Sequence, residues 1–139
     1  MKETYVDTGK VRFGYWHFAF LGQESFWAAE ASECAAEQDA FWVYHDLLFE
    51  RHGGENQGAF SKENLKAFAN ELKLDSQAFN DCLDNNTFST QVQTETNNAR
   101  SMGVTSTPAF VINGQAVMGA QPFEVFEQII EQELAKTSP

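Results

Sequence analysis

The dipeptide Asn113-Gly114 stands between two short apolar runs that alternate with period two, Ala109-Phe110-Val111-Ile112 and Gln115-Ala116-Val117-Met118. Asn-Gly is suited to the two positive-φ positions of a tight hairpin turn, so this stretch predicts an antiparallel β-hairpin. It fixes strand structure late in a chain whose middle reads almost entirely as helix. Pro122 then suits the first turn of a closing helix, in which Phe123, Phe126 and Ile130 recur on one face.

Ahead of the hairpin the pattern is helical. Residues 23–38 contain alanines and neither Gly nor Pro, which predicts a helix. Residues 40–50 place Phe41, Tyr44 and Leu48 on one face, with Trp42 and Phe49 beside them. After the glycine-rich stretch 52–58, Ser61 can cap a helix carrying Leu65, Phe68, Ala69 and Leu72. Asp75 can cap a shorter one carrying Phe79, Cys82 and Leu83. Residues 87–102 offer Phe88, Val92, Ala99 and Met102 on one side, and Gly103 supplies a left-handed C-terminus. Before all of these, residues 11–21 (VRFGYWHFAFL) are aromatic and β-branched on both alternating faces, which predicts an interior strand covered on both sides.

With 139 residues, 42% of them apolar, thirteen Phe and three Trp, the chain has the bulk for one folded core and one domain over residues 1–139. A net charge of -11 opposes nucleic-acid backbones and anionic membrane surfaces as partners. No apolar run approaches the roughly 20 residues of a membrane span. The first ten residues lack the apolar stretch of a secretory signal. As written, the sequence is expected to be soluble and cytoplasmic.

Cys34 and Cys82 are 48 positions apart, so the sequence holds neither a CxxC pair nor a zinc-ligand cluster. One disulfide or two buried thiols are both compatible with that spacing. Cys34 follows Glu30 and Glu33, and Cys82 lies among Asp81, Asp84 and apolar residues. Nearby carboxylates and burial both raise a thiol pKa, so both read as poor nucleophiles. His17, His45 and His52 lack partners at ligand or catalytic spacing and read as structural or surface residues. No metal and no cofactor is expected.

The run Gly103-Val104-Thr105-Ser106-Thr107-Pro108-Ala109-Phe110-Val111-Ile112-Asn113-Gly114 resembles the cis-proline strand and hairpin of the thioredoxin superfamily, in its DsbA-like branch. Val11-Arg12-Phe13, Phe41-Trp42-Val43-Tyr44-His45-Asp46-Leu47-Leu48-Phe49 and Gly119-Ala120-Gln121-Pro122 match that branch in the same order. Two positions depart from it: Ser106 stands where the family usually has Gly, and Ala19 where it usually has Pro. The resemblance implies an α/β, thioredoxin-like fold with a helical insertion over about residues 23–102. It also implies N-terminal truncation, because a strand and a helix bearing CxxC are expected before residue 11.

Thiol:disulfide exchange on protein substrates is the activity so implied. Without CxxC the chain itself is expected to be redox-inactive, and a non-catalytic peptide-binding or dimeric module is the alternative. Only about 5 to 6% of X-Pro bonds are cis in folded proteins, but the resemblance implies a cis Thr107-Pro108 bond with the Thr107 backbone facing a polypeptide substrate. It further implies a non-catalytic disulfide between Cys34 and Cys82, and an extracytoplasmic location for many family members. Loss of a central strand would leave sheet edges open, from which a homodimer is expected, centred on residues 11–21 or the helices beside them.

Overall fold

A computed structural model describes residues 1–137 of the chain. Six helices and one hairpin follow in the order α1 (Gln23–Ala36), α2 (Phe41–Glu50), α3 (Lys62–Glu71), α4 (Ser76–Asp84), α5 (Ser89–Ser101), β1 (Ala109–Ile112), β2 (Gln115–Met118) and α6 (Phe123–Thr137). A short π-helical turn, Lys2–Val6, precedes them. The chain divides into two compact units, His17–Ala99 and Met1–Trp16 with the residues from Arg100 onward.

The helical unit is built from elements that satisfy their own backbones. The Ser61 side chain accepts a hydrogen bond from the Asn64 N–H, and Asp75 accepts one from Ala78 at 2.9 Å, so α3 and α4 start where a capping oxygen is available. Tyr44, Leu65, Phe79 and Leu83 are fully buried between α1, α2, α3 and α4, with Ala31, Cys34 and Ala35 from α1. The small residues of α1 allow that helix to approach its neighbours closely. On α2 the buried stripe is Tyr44 and Leu47, while Trp42 and Phe49 of the expected apolar face are exposed.

In the other unit the hairpin forms with Ala109 opposite Met118, Phe110 opposite Val117 and Ile112 opposite Gln115. Asn113 and Gly114 both take positive φ, +46° and +88°, as a two-residue hairpin turn requires. Phe110, Val117, Phe126 and Ile130 pack together with Tyr5 and Val11, and the Phe110 and Phe126 rings meet edge-on at 4.8 Å. Gly103, with φ of +87°, follows the end of α5.

Residues 11–21 correct the sequence reading. They form no strand, and Phe13, Tyr15, Trp16 and Leu21 are exposed rather than covered on both faces. A strand exists only when a neighbour completes its ladder. Among the described residues the sheet is β1 and β2 alone. Helical side chains supply part of what a neighbouring strand would: the His17 N–H donates to Glu95 Oε2 at 2.8 Å, and the Ala19 N–H to Thr96 Oγ1 at 3.0 Å. Met102 and Phe123, expected in the core, are also exposed.

Candidate functional site

The loop before β1 offers exposed backbone. Residues 105–108 are exposed, the Thr107-Pro108 peptide bond is cis, and the Pro108 carbonyl accepts a hydrogen bond from the Gly119 N–H at 2.8 Å. The hairpin register decides which peptide groups remain open. Ile112 and Gln115 flank a two-residue turn and exchange hydrogen bonds, as do Phe110 and Val117 two positions on. The N–H and C=O groups of Ala109 and Val111 therefore point away from β2. No strand pairs with that edge among the described residues, and Val111 is 56% exposed. Thr107 lies two residues before Ala109, in the bent and exposed segment 106–108 that leads into the open edge.

Cys34 and Cys82 lie in the helical unit, on α1 and α4. They form a disulfide with Cα atoms 5.9 Å apart, and Cys34 is buried. Neither cysteine is free. The expected substrate-binding pair, Thr107 and Pro108, lies in the other unit.

The histidines have structural settings. His17 is buried, with Nε2 2.7 Å from Glu33 Oε1. His45 lies 3.0 Å from Asp46 and in ring contact with Phe41, Trp42 and Phe49, and His52 faces the Phe60 ring edge-on. Among the described residues no group of three or more His, Cys, Asp or Glu side chains is arranged to hold a metal ion.

Two residues escaped the sequence reading. Thr96 is fully buried and holds the Ala19 N–H, although a polar residue in a polar helix gives no sign of burial. Glu30 is 3% exposed, and its Oε2 has no hydrogen-bond partner among the described residues. Burial pushes its pKa up, with Lys62 pulling the other way. The flanking Ala28, Ala29, Ala31 and Cys34 were the available signal, since a helix face of small residues is a face that packs closely.

The sequence model of a family described as Thioredoxin matches residues 1–132. The solved structure of BdbD from Bacillus subtilis, in its oxidised form, superposes with a TM-score of 0.86 at 27% identity, over 96% of this chain and 74% of that one. The chain belongs to the thioredoxin family, in its DsbA-like branch. A probable disulfide bond formation protein D of Bacillus anthracis is 26% identical over 140 residues, covering 98% of this chain and 64% of the relative. The Na(+)/H(+) antiporter NhaA 3 of Salinispora tropica is 30% identical over 132 residues, 94% of this chain and 20% of the relative. The chain thus spans less than two thirds of these curated relatives. The family assignment and the BdbD likeness establish the thioredoxin-like fold with its helical insertion.

Proposed function

We propose that the chain serves thiol:disulfide exchange on polypeptides as a substrate-presenting part, and that these 139 residues carry no exchange activity of their own. The observation behind this is that both cysteines are joined to each other between α1 and α4. Exchange requires an attacking thiolate and a second thiol to resolve the mixed disulfide, and neither is on offer. What remains suited to a polypeptide is the open edge of β1 at Ala109 and Val111, where an extended chain can add main-chain hydrogen bonds, with exposed Thr107 just before it.

Insulin reduction and the refolding of a reduced, unfolded protein test the reading. The expected result is turnover at background level. Turnover above background that disappears in Cys34→Ser or Cys82→Ser overturns it.

A homodimer is the second reading, favoured by the same edge: two copies of β1 can pair across a two-fold axis. A stable dimer would bury at least about 1,200 Å² in total. The driving force is smaller than an uncovered interior edge would provide. Val111 is exposed, so water satisfies peptide groups there that would cost on the order of 1 to 3 kcal/mol each if buried unpaired. A net charge of -11 on each copy opposes the pairing as well. Light scattering at micromolar concentration decides between the chain mass of 15.6 kDa and twice that value.

A further inference from the structure

A cavity of about 250 Å³ opens beside the hairpin turn, within the unit that contains β1, β2 and α6. Val11, Ile112, Ile130 and Leu134 give it an apolar floor, and Lys10 and Arg12 stand at it with cationic side chains. Its volume is below the roughly 300–1,000 Å³ of pockets that enclose drug-sized molecules, and suits a single bulky side chain with its backbone.

The charges at the cavity are unusual for this chain. The molecule as a whole repels anions, yet among the described residues neither the Lys10 nor the Arg12 side chain has an ion pair or hydrogen bond. Glu133 also lines the cavity, but its carboxylate is already held by Gln115 Nε2 at 2.7 Å, Asn113 Nδ2 at 3.3 Å and Lys136. Those donors, the Lys136 hydrogen bond first, keep its pKa below the ordinary value, and its charge is already engaged by them. Two free cations against one neutralised carboxylate leave a local positive balance above an aliphatic floor. Arginine's planar fork matches a carboxylate with two parallel hydrogen bonds, and lysine adds a mobile point charge.

We propose that this cavity binds the free C-terminal carboxylate of an extended polypeptide whose last side chain is aliphatic. The carboxylate lies between Lys10 and Arg12, and the side chain rests on Ile112, Ile130 and Leu134. The choice of a peptide over other apolar carboxylates rests on the polypeptide partner proposed above. The carboxylate site itself does not depend on the redox behaviour of the chain.

Amide chemical shifts of the full chain can be followed during titration with a tetrapeptide ending in Leu, its C-terminal amide, and octanoate. The expected result is that the peptide acid shifts Ile112, Asn113 and Leu134. The amide and the Arg12→Gln variant should each weaken binding on the order of tenfold, as loss of a hydrogen bond to a charged group does. Lys10→Gln should weaken it as well. Both side chains are exposed, so neither change disturbs the core. Equal binding of acid and amide overturns the carboxylate site. Octanoate binding as tightly as the peptide overturns the peptide assignment. Shifts confined to Thr107, Ala109 and Val111 overturn this proposal while supporting the edge-binding one, so the two fail separately.

Discussion

The helical unit and the hairpin unit solve the same problem with different means. In His17–Ala99, each helix closes its own backbone hydrogen bonds, and packing then brings Tyr44, Leu65, Phe79 and Leu83 to complete burial. In the other unit, the two-stranded sheet closes only one side of β1, and its core is Tyr5, Val117, Phe126 and Ile130. Helices need neighbours for their side chains alone, whereas a strand also needs one for its main chain. The open main chain at Ala109 and Val111 is what the proposed binding of a polypeptide would use. The helical unit has a covalent tie as well, while nothing among the described residues ties the hairpin unit by a disulfide.

The largest effect should come from Phe79→Ala. Its ring is fully buried and 5.4 Å from that of Tyr44, and truncating a buried Phe costs about 3–5 kcal/mol. Phe126 is 8% exposed and sits in the smaller cluster, so Phe126→Ala should cost less and loosen only its own unit. Hydrogen exchange resolved by residue separates the two responses. If Phe79→Ala accelerated exchange equally in β1, β2 and α6, the units would be one cooperative whole and the contrast would fail.

Next in size is the disulfide. Closing a loop between residues 48 positions apart stabilises by about 4 kcal/mol in the chain-entropy treatment, which is an upper guide because the denatured chain retains structure. The double variant Cys34→Ser, Cys82→Ser should lower the urea midpoint of the helical unit and leave exchange of the hairpin amides unchanged. An unchanged midpoint would mean that packing around Ala31, Ala35 and Phe79 already holds α1 against α4.

Local chemistry was legible in the sequence, and non-local pairing was not. Ser61 and Asp75 cap the helices they were expected to cap, and Asn113-Gly114 turns the hairpin, because each of these signals is complete within a few residues. Residues 11–21 are aromatic and β-branched on both faces, as a covered strand would be, but no residue among them says whether a partner strand exists. Thr96 and Glu30 were hidden for a related reason: burial of a polar side chain depends on what packs over it, and that is set elsewhere in the chain. The thioredoxin-like fold became readable through several matching segments in order, above all residues 103–114, which contain Thr107-Pro108. The Cys34–Cys82 pairing came from the resemblance alone, since a separation of 48 residues allows two free thiols equally well.

The smallest effect is confined to alkaline pH and sharpens the contrast from the side of the hairpin unit. Tyr5 donates its phenol hydrogen to Glu131 Oε1 at 2.7 Å, and its pKa is pushed up to about 12, first by that hydrogen bond, then by burial and the charges of Glu131 and Glu127. The ordinary value is 10.0, so between about pH 10 and 12 the unfolded chain loses this proton while the folded chain keeps it. Stability from the shift is complete below pH 10 and is lost as pH rises through the folded value. Tyr44 behaves in the same direction, because burial raises its pKa and its hydroxyl donates to the Leu65 carbonyl at 2.8 Å. A whole-molecule melt would mix the two, so the measurement must be resolved by unit. Between pH 9 and 11.5 the amides of α6 and β2 should lose protection in the wild type. In Tyr5→Phe they should lose none beyond the ordinary pH dependence of exchange. Tyr44→Phe should flatten the response of α2 and α3 and leave α6 as it is. If Tyr5→Phe changed the alkaline response of both units alike, the hydroxyl would be acting on the fold as a whole, and the hairpin unit would not be the separately stabilised region that its smaller core implies.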